Sequence, residues 1–158
     1  MNQSQPLTYN NDVTPEYLRT LDKEPLTEEQ IVGFAESAIL ALRKSEAYVA
    51  AHPPIAIYRV ATQGSQTRDG GVISRASSAV TCTREGVTLR MAQIGDVVSY
   101  PDGSTATIIT GAGKTRMNVA VVGSQLSNGD QIINTLDHGW LFIEREGVPL
   151  PADFLPNV

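Results

Sequence analysis

The spacing of apolar residues over the first 54 positions is helical. Thr14, Pro15 and Glu16 provide an N-cap, a proline at the first helical position and an acid in the first turn, so they predict a short helix through Leu18 and Leu21. Residues 1–13 are polar and are predicted to have no ordered structure.

A second helix is predicted to begin at Thr27, because Thr27 and Gln30 have the spacing of a capping box. Pro53 and Pro54 end it, since proline lacks a donor and restricts the residue before it. The apolar stripe of this helix comprises Ile31, Phe34, Ala35, Ala38 and Leu42, with Ile39 at its edge. We expect the stripe to pack on the rest of the domain or on a partner.

The pattern changes at Ile55, where helical periodicity gives way to short runs of β-type residues separated by turn residues. Asp69-Gly70-Gly71, Pro101-Asp102-Gly103 and Asn128-Gly129-Asp130 are strong turn signals. Strands at this spacing are typical of a compact all-β domain. The sequence therefore predicts a helical arm over residues 1–54, a β domain over 55–143 and a C-terminal tail over 144–158.

The predicted β domain contains an internal repeat. Three segments begin Ala-x-x-Gly-[Ser/Asp], at Ala61, Ala92 and Ala120, and a glycine-containing turn follows in each. An apolar pair comes after each turn: Val72-Ile73, Ile108-Ile109 and Ile132-Ile133. Repeats of about this size indicate one supersecondary unit that is used several times. The shared positions predict a recurring tight turn with a side-chain-to-backbone hydrogen bond, and the structural repeat-turn residues are Gly64, Gly95, Asp96, Gly123 and Ser124.

In this order and at this period, the segments 92–99 and 120–129 resemble the turns of the PAAR-repeat family, and residues 107–111 are similar to the strand that leaves the turn. These proteins are the cone-shaped tips of type VI secretion and related contractile injection spikes. The resemblance covers roughly residues 57–140. It implies a mostly β fold, a compact three-repeat β cone with an α-helical N-terminal extension. It also implies a structural role: capping a trimeric VgrG-type β-helical spike, sharpening it for membrane puncture and coupling cargo for effector delivery.

One departure from the family pattern concerns metal. Family members often place His or Cys just after the Ser or Thr of the repeat, where such residues bind zinc at the cone apex. Here those positions hold Arg68, Tyr100 and Asn128, which are poor zinc ligands. The resemblance therefore carries over the fold and the role, and we expect no metal and no cofactor.

The composition argues against several other functions. A net charge of −5 disfavours a nucleic-acid partner, because phosphate neutralisation needs a basic face. Thr110-Gly111-Ala112-Gly113-Lys114-Thr115 resembles the end of a P-loop, but Ile108 stands where the motif needs glycine and a strand is predicted to follow. We read it as an ordinary glycine turn.

The chain is not expected to be an enzyme. Cys82 and His138 could form a nucleophile–base pair, or part of an atypical metal site, only if folding brings them together. His52 is interpreted as a solvated helix-end residue. A Cys/His hydrolase is the weaker alternative function; the stronger one is a secreted effector or adaptor whose N-terminal helix binds cargo or a chaperone.

The N-terminus has neither a basic nor an apolar region of the signal-peptide kind, and no stretch is apolar enough for a transmembrane helix. We expect a protein that is made in the cytoplasm, is exported by the injection machine and touches the target membrane only transiently.

Overall fold

The computed structural model describes residues 7–158, and over that range the chain is mostly β with helical segments near its N-terminus. The helices are α1 (Pro15–Arg19) and α2 (Glu36–Ala51), and a 3-10 turn spans Lys114–Arg116. The strands are β1 (Pro54–Arg59), β2 (Val72–Arg75), β3 (Thr81–Arg84), β4 (Val87–Arg90), β5 (Val97–Ser99), β6 (Thr105–Thr107) and β7 (Leu141–Arg145). The mostly-β prediction is confirmed.

The strands form three small sheets. β1 pairs with β7, β3 pairs with β4, and β5 lies between β2 and β6. Both pairings of β5 are antiparallel, and the register with β2 shifts at an irregularity between Ile73 and Arg75. Many further pairings are single bridges between non-neighbouring segments, such as Val60 with Val121 and Gln93 with Val119. Much of the fold is therefore held by isolated long-range contacts.

The chain divides into two compact units. The described part of the first, the β unit, comprises residues 7–12, 57–142 and 150–158. The second, the arm unit, comprises residues 13–56 and 143–149. The arm and tail boundaries at residues 54 and 143 stay predictions.

In the arm unit, α1 begins as predicted. The Oγ1 atom of Thr14 accepts a hydrogen bond from the backbone N–H of Tyr17 at 3.1 Å, and Pro15 occupies the first helical position. His52 ends α2, and its Nδ1 lies 2.8 Å from the carbonyl oxygen of Glu146. Arg145 holds the same unit together through a 2.6 Å ion pair with Asp22.

The second helix does not begin at Thr27, and that prediction is wrong. Thr27 and Gln30 do form the reciprocal capping pair, with N–H···O distances of 2.9 and 3.3 Å. Gly33 then adopts a φ of +91°, a left-handed conformation that ends the turn, and α2 starts only at Glu36. Of the predicted stripe only Ile31 is buried, and α2 itself has no buried residue.

The segment before α1 is partly ordered, which corrects the prediction for residues 1–13 where they are described. Tyr9 and Thr135 exchange two backbone hydrogen bonds of 2.9 Å. The side chain of Asn11 donates to the carbonyl of Val122 and accepts from the N–H of Arg59, both at 2.8 Å. Residues 1–6 lie outside the described residues.

The β unit has two apolar clusters. The first joins Ala61, Ala92 and Ala120 to buried side chains of the hairpins, namely Ile73, Ala76, Val98, Ala106, Ile108, Leu126 and Ile132. The second contains the three residues just before those alanines, Val60, Met91 and Val119, together with Ala112, Val121 and Phe154. Successive side chains of an extended chain point to opposite faces. The alanines therefore face the first cluster, and the residues just before them face the second, on the other side of the backbone.

Candidate functional site

Three backbone hydrogen bonds form a closed ring at the centre of the β unit. The N–H of Ala61 donates to the carbonyl of Ala120, that of Ala92 to Ala61, and that of Ala120 to Ala92, each at 2.9 Å. All three alanines are fully buried. A larger side chain would collide with this ring, so the small residue at the start of each segment has a steric reason.

A second set of hydrogen bonds joins the same three segments in the opposite cyclic order. The N–H of Gln63 donates to the carbonyl of Arg90, and that of Ile94 donates to Asn118. The set closes where the N–H of Val122 donates to the carbonyl of Arg59; the three distances lie between 2.8 and 3.0 Å. Each of the three segments is thus tied to both of the others.

The predicted turn residues share one local geometry. Gly64, Gly95 and Gly123 have φ angles of +97°, +95° and +108°. Their N–H groups donate to the carbonyls of Ile73, Ile108 and Ile132 in that order, at 2.8–2.9 Å. Glycine populates these φ values without a Cβ penalty, so the turn has a physical requirement for it.

The residue after each glycine anchors the turn with its side chain. Ser65, Asp96 and Ser124 each accept a hydrogen bond from the backbone N–H three residues earlier, at 2.8–3.0 Å. Asp96 is buried and also accepts from the N–H and the hydroxyl of Ser77. The serines and the aspartate therefore replace a backbone acceptor at equivalent places, as local side-chain hydrogen bonding does in turns.

On the side of the ring that carries the first apolar cluster, three hairpin turns meet. We call these turns, residues 67–71, 100–104 and 126–130, the turn cluster. In each, the N–H of the first residue donates to the carbonyl of the fifth at 2.9 Å. Arg68 donates to the carbonyl of Gly129 at 2.9 Å, and the amide of Asn128 donates to the hydroxyl of Tyr100 at 3.0 Å. These bonds link the third turn to each of the other two.

A buried carboxylate lies where the turns meet. Asp130 is fully buried, and its Oδ2 accepts from the hydroxyl of Tyr100 at 2.5 Å. Its Oδ1 accepts from the backbone N–H of Asp69 at 3.1 Å and of Gln131 at 2.7 Å. One side chain from the third turn therefore binds residues of the other two.

The electrostatics of Asp130 favour its charged form. Burial raises the pKa of Asp130, but the hydrogen bonds from the side chains of Thr67 and Tyr100 outweigh it, and backbone donors add to them. The net pKa of Asp130 is below the ordinary value for Asp. Burial, followed by the hydrogen bond to Asp130, raises the pKa of Tyr100, so the phenol stays protonated and donates.

Arg68, Tyr100 and Asn128, the residues at the family's metal-ligand positions, thus all lie in the turn cluster. Asp130 was not identified, because Asn128-Gly129-Asp130 has the composition of a plain turn. Among the described residues no group of three or more His, Cys, Asp or Glu could hold a metal ion. The absence of zinc stays a prediction, which elemental analysis of protein purified without chelator would test.

On the other side of the ring lies an open apolar groove, which we call the base groove. It has a volume of about 310 Å³. The residues before the three alanines line it together with one loop and the start of β7: Val60, Met91, Arg116, Met117, Val119, Gly139, Trp140, Leu141 and Phe142. Val60, Met91 and Val119 occupy equivalent places in the three segments. The side chain of Met117 is 62% exposed at its edge.

Cys82 and His138 do not form a hydrogen-bonded pair with each other in the described part of the chain. Cys82 lies on β3 opposite Leu89, with Arg84 as a charged neighbour. The ring of His138 packs against Tyr9 at 5.4 Å between centroids. Beside it Asp137 is buried and accepts from Arg84 at 2.7 Å.

The P-loop-like segment opens no α-helix. Gly113 has a φ of +95°, and Lys114–Arg116 forms only a 3-10 turn, after which Met117 is left-handed. A single short turn does not align backbone dipoles toward a phosphate. None of the described helices is both long and apolar enough to cross a membrane.

No protein-family model matches the chain, and neither a curated protein nor a solved structure shows significant similarity to it. Functional inference therefore depends on the geometry itself.

Proposed function

We propose that the protein is a PAAR-like spike tip: a single chain that caps a trimeric, VgrG-type β-helical spike of a contractile injection machine. The observation that carries the proposal is the closed ring of Ala61, Ala92 and Ala120. Three segments of one chain that exchange equivalent hydrogen bonds in cyclic order are pseudo-threefold. A monomer with this symmetry can meet the end of a symmetric trimer with three comparable contacts. Such a complex of one chain on three differs from the closed homo-oligomers that most soluble assemblies form.

The two ends of the β unit support different parts of this role. The turn cluster closes one end through Asp130 and buries the polar groups that meet there, which suits a compact apex. At the other end the base groove has buried Val60, Met91 and Val119 at its floor and Met117 exposed at its edge, which suits an attachment surface. The cone and its three repeats are part of the proposal.

Export of the protein by the injection machine and its transient passage through a target membrane belong to the same proposal. The work is mechanical, and no substrate or cofactor is consumed.

The proposal is tested by stoichiometry. Native mass spectrometry of the protein mixed with trimeric spike proteins encoded in the same genome should show a monomer alone and a complex of one tip to three spike chains. A stable homotrimer of the isolated protein, or three tips on one spike trimer, would contradict the pseudo-threefold argument.

A matched pair of variants tests the attachment surface. Met117→Lys places a charge at the exposed edge of the base groove and should weaken the spike complex at least tenfold, because a desolvated charge there has no partner. Val87→Lys makes a similar change at a residue that is 57% exposed on β4 and lines no part of the groove. Equal loss in both variants would place the contact elsewhere.

A second role concerns the arm unit, which we propose binds cargo or a chaperone. None of the 16 residues of α2 is buried, and Leu40 and Tyr48 are 66% and 51% exposed. Away from Leu40, a groove of about 500 Å³ lies between α2 and residues 22–26, lined on the helix by residues such as Leu42 and Val49. Leu40→Glu should abolish co-purification of such a partner without changing the spike complex.

A further inference from the structure

One cation of the β unit has an incomplete set of partners. Arg116 lines the base groove, and its Nη1 atom is buried without a hydrogen-bond partner among the described residues. It is the one buried side-chain nitrogen or oxygen of the described chain in this condition. A buried donor that is left unpaired costs about 1–3 kcal/mol, and more when it is charged.

The position of this guanidinium is set by its surroundings. Arg116 ends the 3-10 turn, and its N–H donates to the carbonyl of Gly113 at 3.0 Å. Its Cζ lies 5.0 Å from the ring centre of Phe142 and 5.6 Å from that of Phe154. The aromatic faces attract the cation but accept no conventional hydrogen bond from Nη1.

The groove offers no acid to complete the site. Its described lining residues are apolar apart from Arg116 itself, and none is Asp or Glu. A carboxylate matches the planar donor fork of arginine, and such charge-assisted hydrogen bonds are about twice as strong as neutral ones. The apolar walls on either side fit the hydrocarbon stem that would carry the carboxylate.

We propose that the base groove binds a carboxylate on an apolar stem, presented to Arg116 by the protein that docks there. The inference rests on the proposed function in one respect, since it takes that partner to be the spike trimer. The spike would provide an Asp or Glu side chain, or a chain terminus, beside apolar residues that cover the exposed edge of the groove at Met117. Because the groove has one arginine, one of the three spike chains would make this contact.

A small-molecule titration tests the carboxylate site without the spike. Trp140 lines the groove and is the only tryptophan of the chain, so its fluorescence reports on the groove alone. Hexanoate should change this fluorescence saturably, and hexanamide, which has the same tail without the charge, should bind about 10- to 100-fold more weakly. Equal binding of the two compounds, or no saturable binding of hexanoate, would overturn the proposal.

Substitutions of Arg116 test whether this residue provides the carboxylate site. Arg116→Met keeps an apolar stem and should remove the preference for hexanoate, whereas Arg116→Lys should keep part of it. Arg19→Met is the matched control, because Arg19 lies in the arm unit and pairs with Glu16; its preference should be unchanged. If Arg116→Met does not fold, the comparison of hexanoate with hexanamide on the wild-type protein still decides.

The spike complex provides the final step. Arg116→Met should weaken it about 10- to 100-fold, and Arg19→Met should leave it unchanged. A spike complex that is insensitive to Arg116 would overturn this inference and leave the proposed function standing. If no spike binds, the proposed function fails, and the hexanoate preference alone supports or overturns the carboxylate site. A dimer of this chain that depends on Arg116 would identify a second copy as the occupant and would also overturn it.

Discussion

The β unit and the arm unit are stabilised in different ways. In the β unit, the ring alanines, Val121, Asp130 and Thr135 have no solvent exposure. In the arm unit, Ile31 is the only described residue that is buried. The first has a packed interior with long-range hydrogen bonds. The second is held by caps and by ion pairs of partly exposed side chains, such as Arg43 with Glu46 at 2.7 Å and Arg145 with Asp22 at 2.6 Å.

Charge is divided just as unequally. The arm unit contains nine acidic and five basic residues, a net charge of −4 out of the −5 of the whole chain. The β unit is therefore close to neutral, while the arm unit is acidic.

This contrast indicates which changes spread through the molecule and which stay local. A substitution in the ring disturbs three segments at once, because each is bonded to both of the others. A substitution in the arm unit disturbs one turn or one helix end, since exposed helices gain little from tertiary packing.

The largest effect is expected at the ring. Ala92→Leu adds three carbons where the alanine is fully buried and its backbone bonds to both neighbours, so overpacking should lower the free energy of unfolding by about 1–3 kcal/mol or more. Urea unfolding followed by Trp140 fluorescence measures it.

If the ring is pseudo-threefold, Ala61→Leu and Ala120→Leu should each cost about as much as Ala92→Leu. Ala47→Leu on the exposed surface of α2 is the matched control, and it should change the stability of the β unit by less than about 0.5 kcal/mol. Equal effects at Ala47 and Ala92 would contradict the contrast between the two units.

The next effect is expected at Asp130. Asp130→Asn removes the charge that accepts from Tyr100 and from two backbone N–H groups, so it should cost about 1–3 kcal/mol at pH 7. Urea unfolding at several pH values measures it. Asp102→Asn, in an exposed turn, should cost clearly less.

The pH dependence follows from the sign of the shift. The pKa of Asp130 is lowered by folding, so its charge stabilises the folded state fully above the ordinary Asp value of about 3.9 and loses that effect as the pH falls through the folded pKa. The difference between wild type and Asp130→Asn should therefore be constant from about pH 7 to pH 5 and shrink below about pH 4. A difference that grows on acidification would contradict this assignment.

A smaller and more discriminating effect is expected from one pair of glycines. Gly95 and Gly33 have φ angles of +95° and +91°, and a Cβ atom would meet nothing within 4 Å at either. Gly95→Ala should lower stability by about 1–2 kcal/mol, because its turn is fixed by the hydrogen bond to Ile108 and the strain cannot relax.

Gly33→Ala should behave differently. In the arm unit the residue can leave the left-handed region, and alanine favours helix over glycine by about 1 kcal/mol. Helical content by far-UV circular dichroism should rise as the turn after Thr27 joins α2, with no loss of stability in the β unit. Equal destabilisation by both substitutions would indicate that the arm unit is as tightly fixed as the β unit.

The glycines of the fold show which features could be predicted from the sequence. The periodic Gly64, Gly95 and Gly123 predicted the turns because a local conformation needs glycine locally. The ring order could not be predicted, since strand pairing joins residues far apart and leaves no periodic trace. The capping pair of Thr27 and Gln30 was identified, but it did not reveal that Gly33 would end the turn.

The same difference between local and long-range contacts applies to the candidate site. The sequence brought Arg68, Tyr100 and Asn128 to one end of the fold through their common place in the repeat. It gave no sign that the Asp130 carboxylate would accept from Tyr100 and from the backbone of the first turn, because a carboxylate after Asn-Gly is ordinary in a turn. The position of Arg116 could not be predicted either, because only the packing shows that its Nη1 atom is buried without a hydrogen-bond partner among the described residues.

The smallest effect is expected at the start of α2, where the arm unit lacks a stabilising device that most helices have. Its N-cap residue is Ala35, whose side chain accepts no hydrogen bond. Ala35→Ser would provide an acceptor for a free N–H of the first turn, which should stabilise the helix by about 0.5–2 kcal/mol.

The matched control is Ala41→Ser, the same chemical change at an exposed interior position of α2, where serine lowers helix propensity slightly. Far-UV circular dichroism during heating should therefore show α2 melting later in Ala35→Ser and slightly earlier in Ala41→Ser, while the Trp140 transition of the β unit stays where it is. If Ala35→Ser shifted the Trp140 transition as well, the two units would unfold together, and the local stabilisation of the arm would not be independent of the ring.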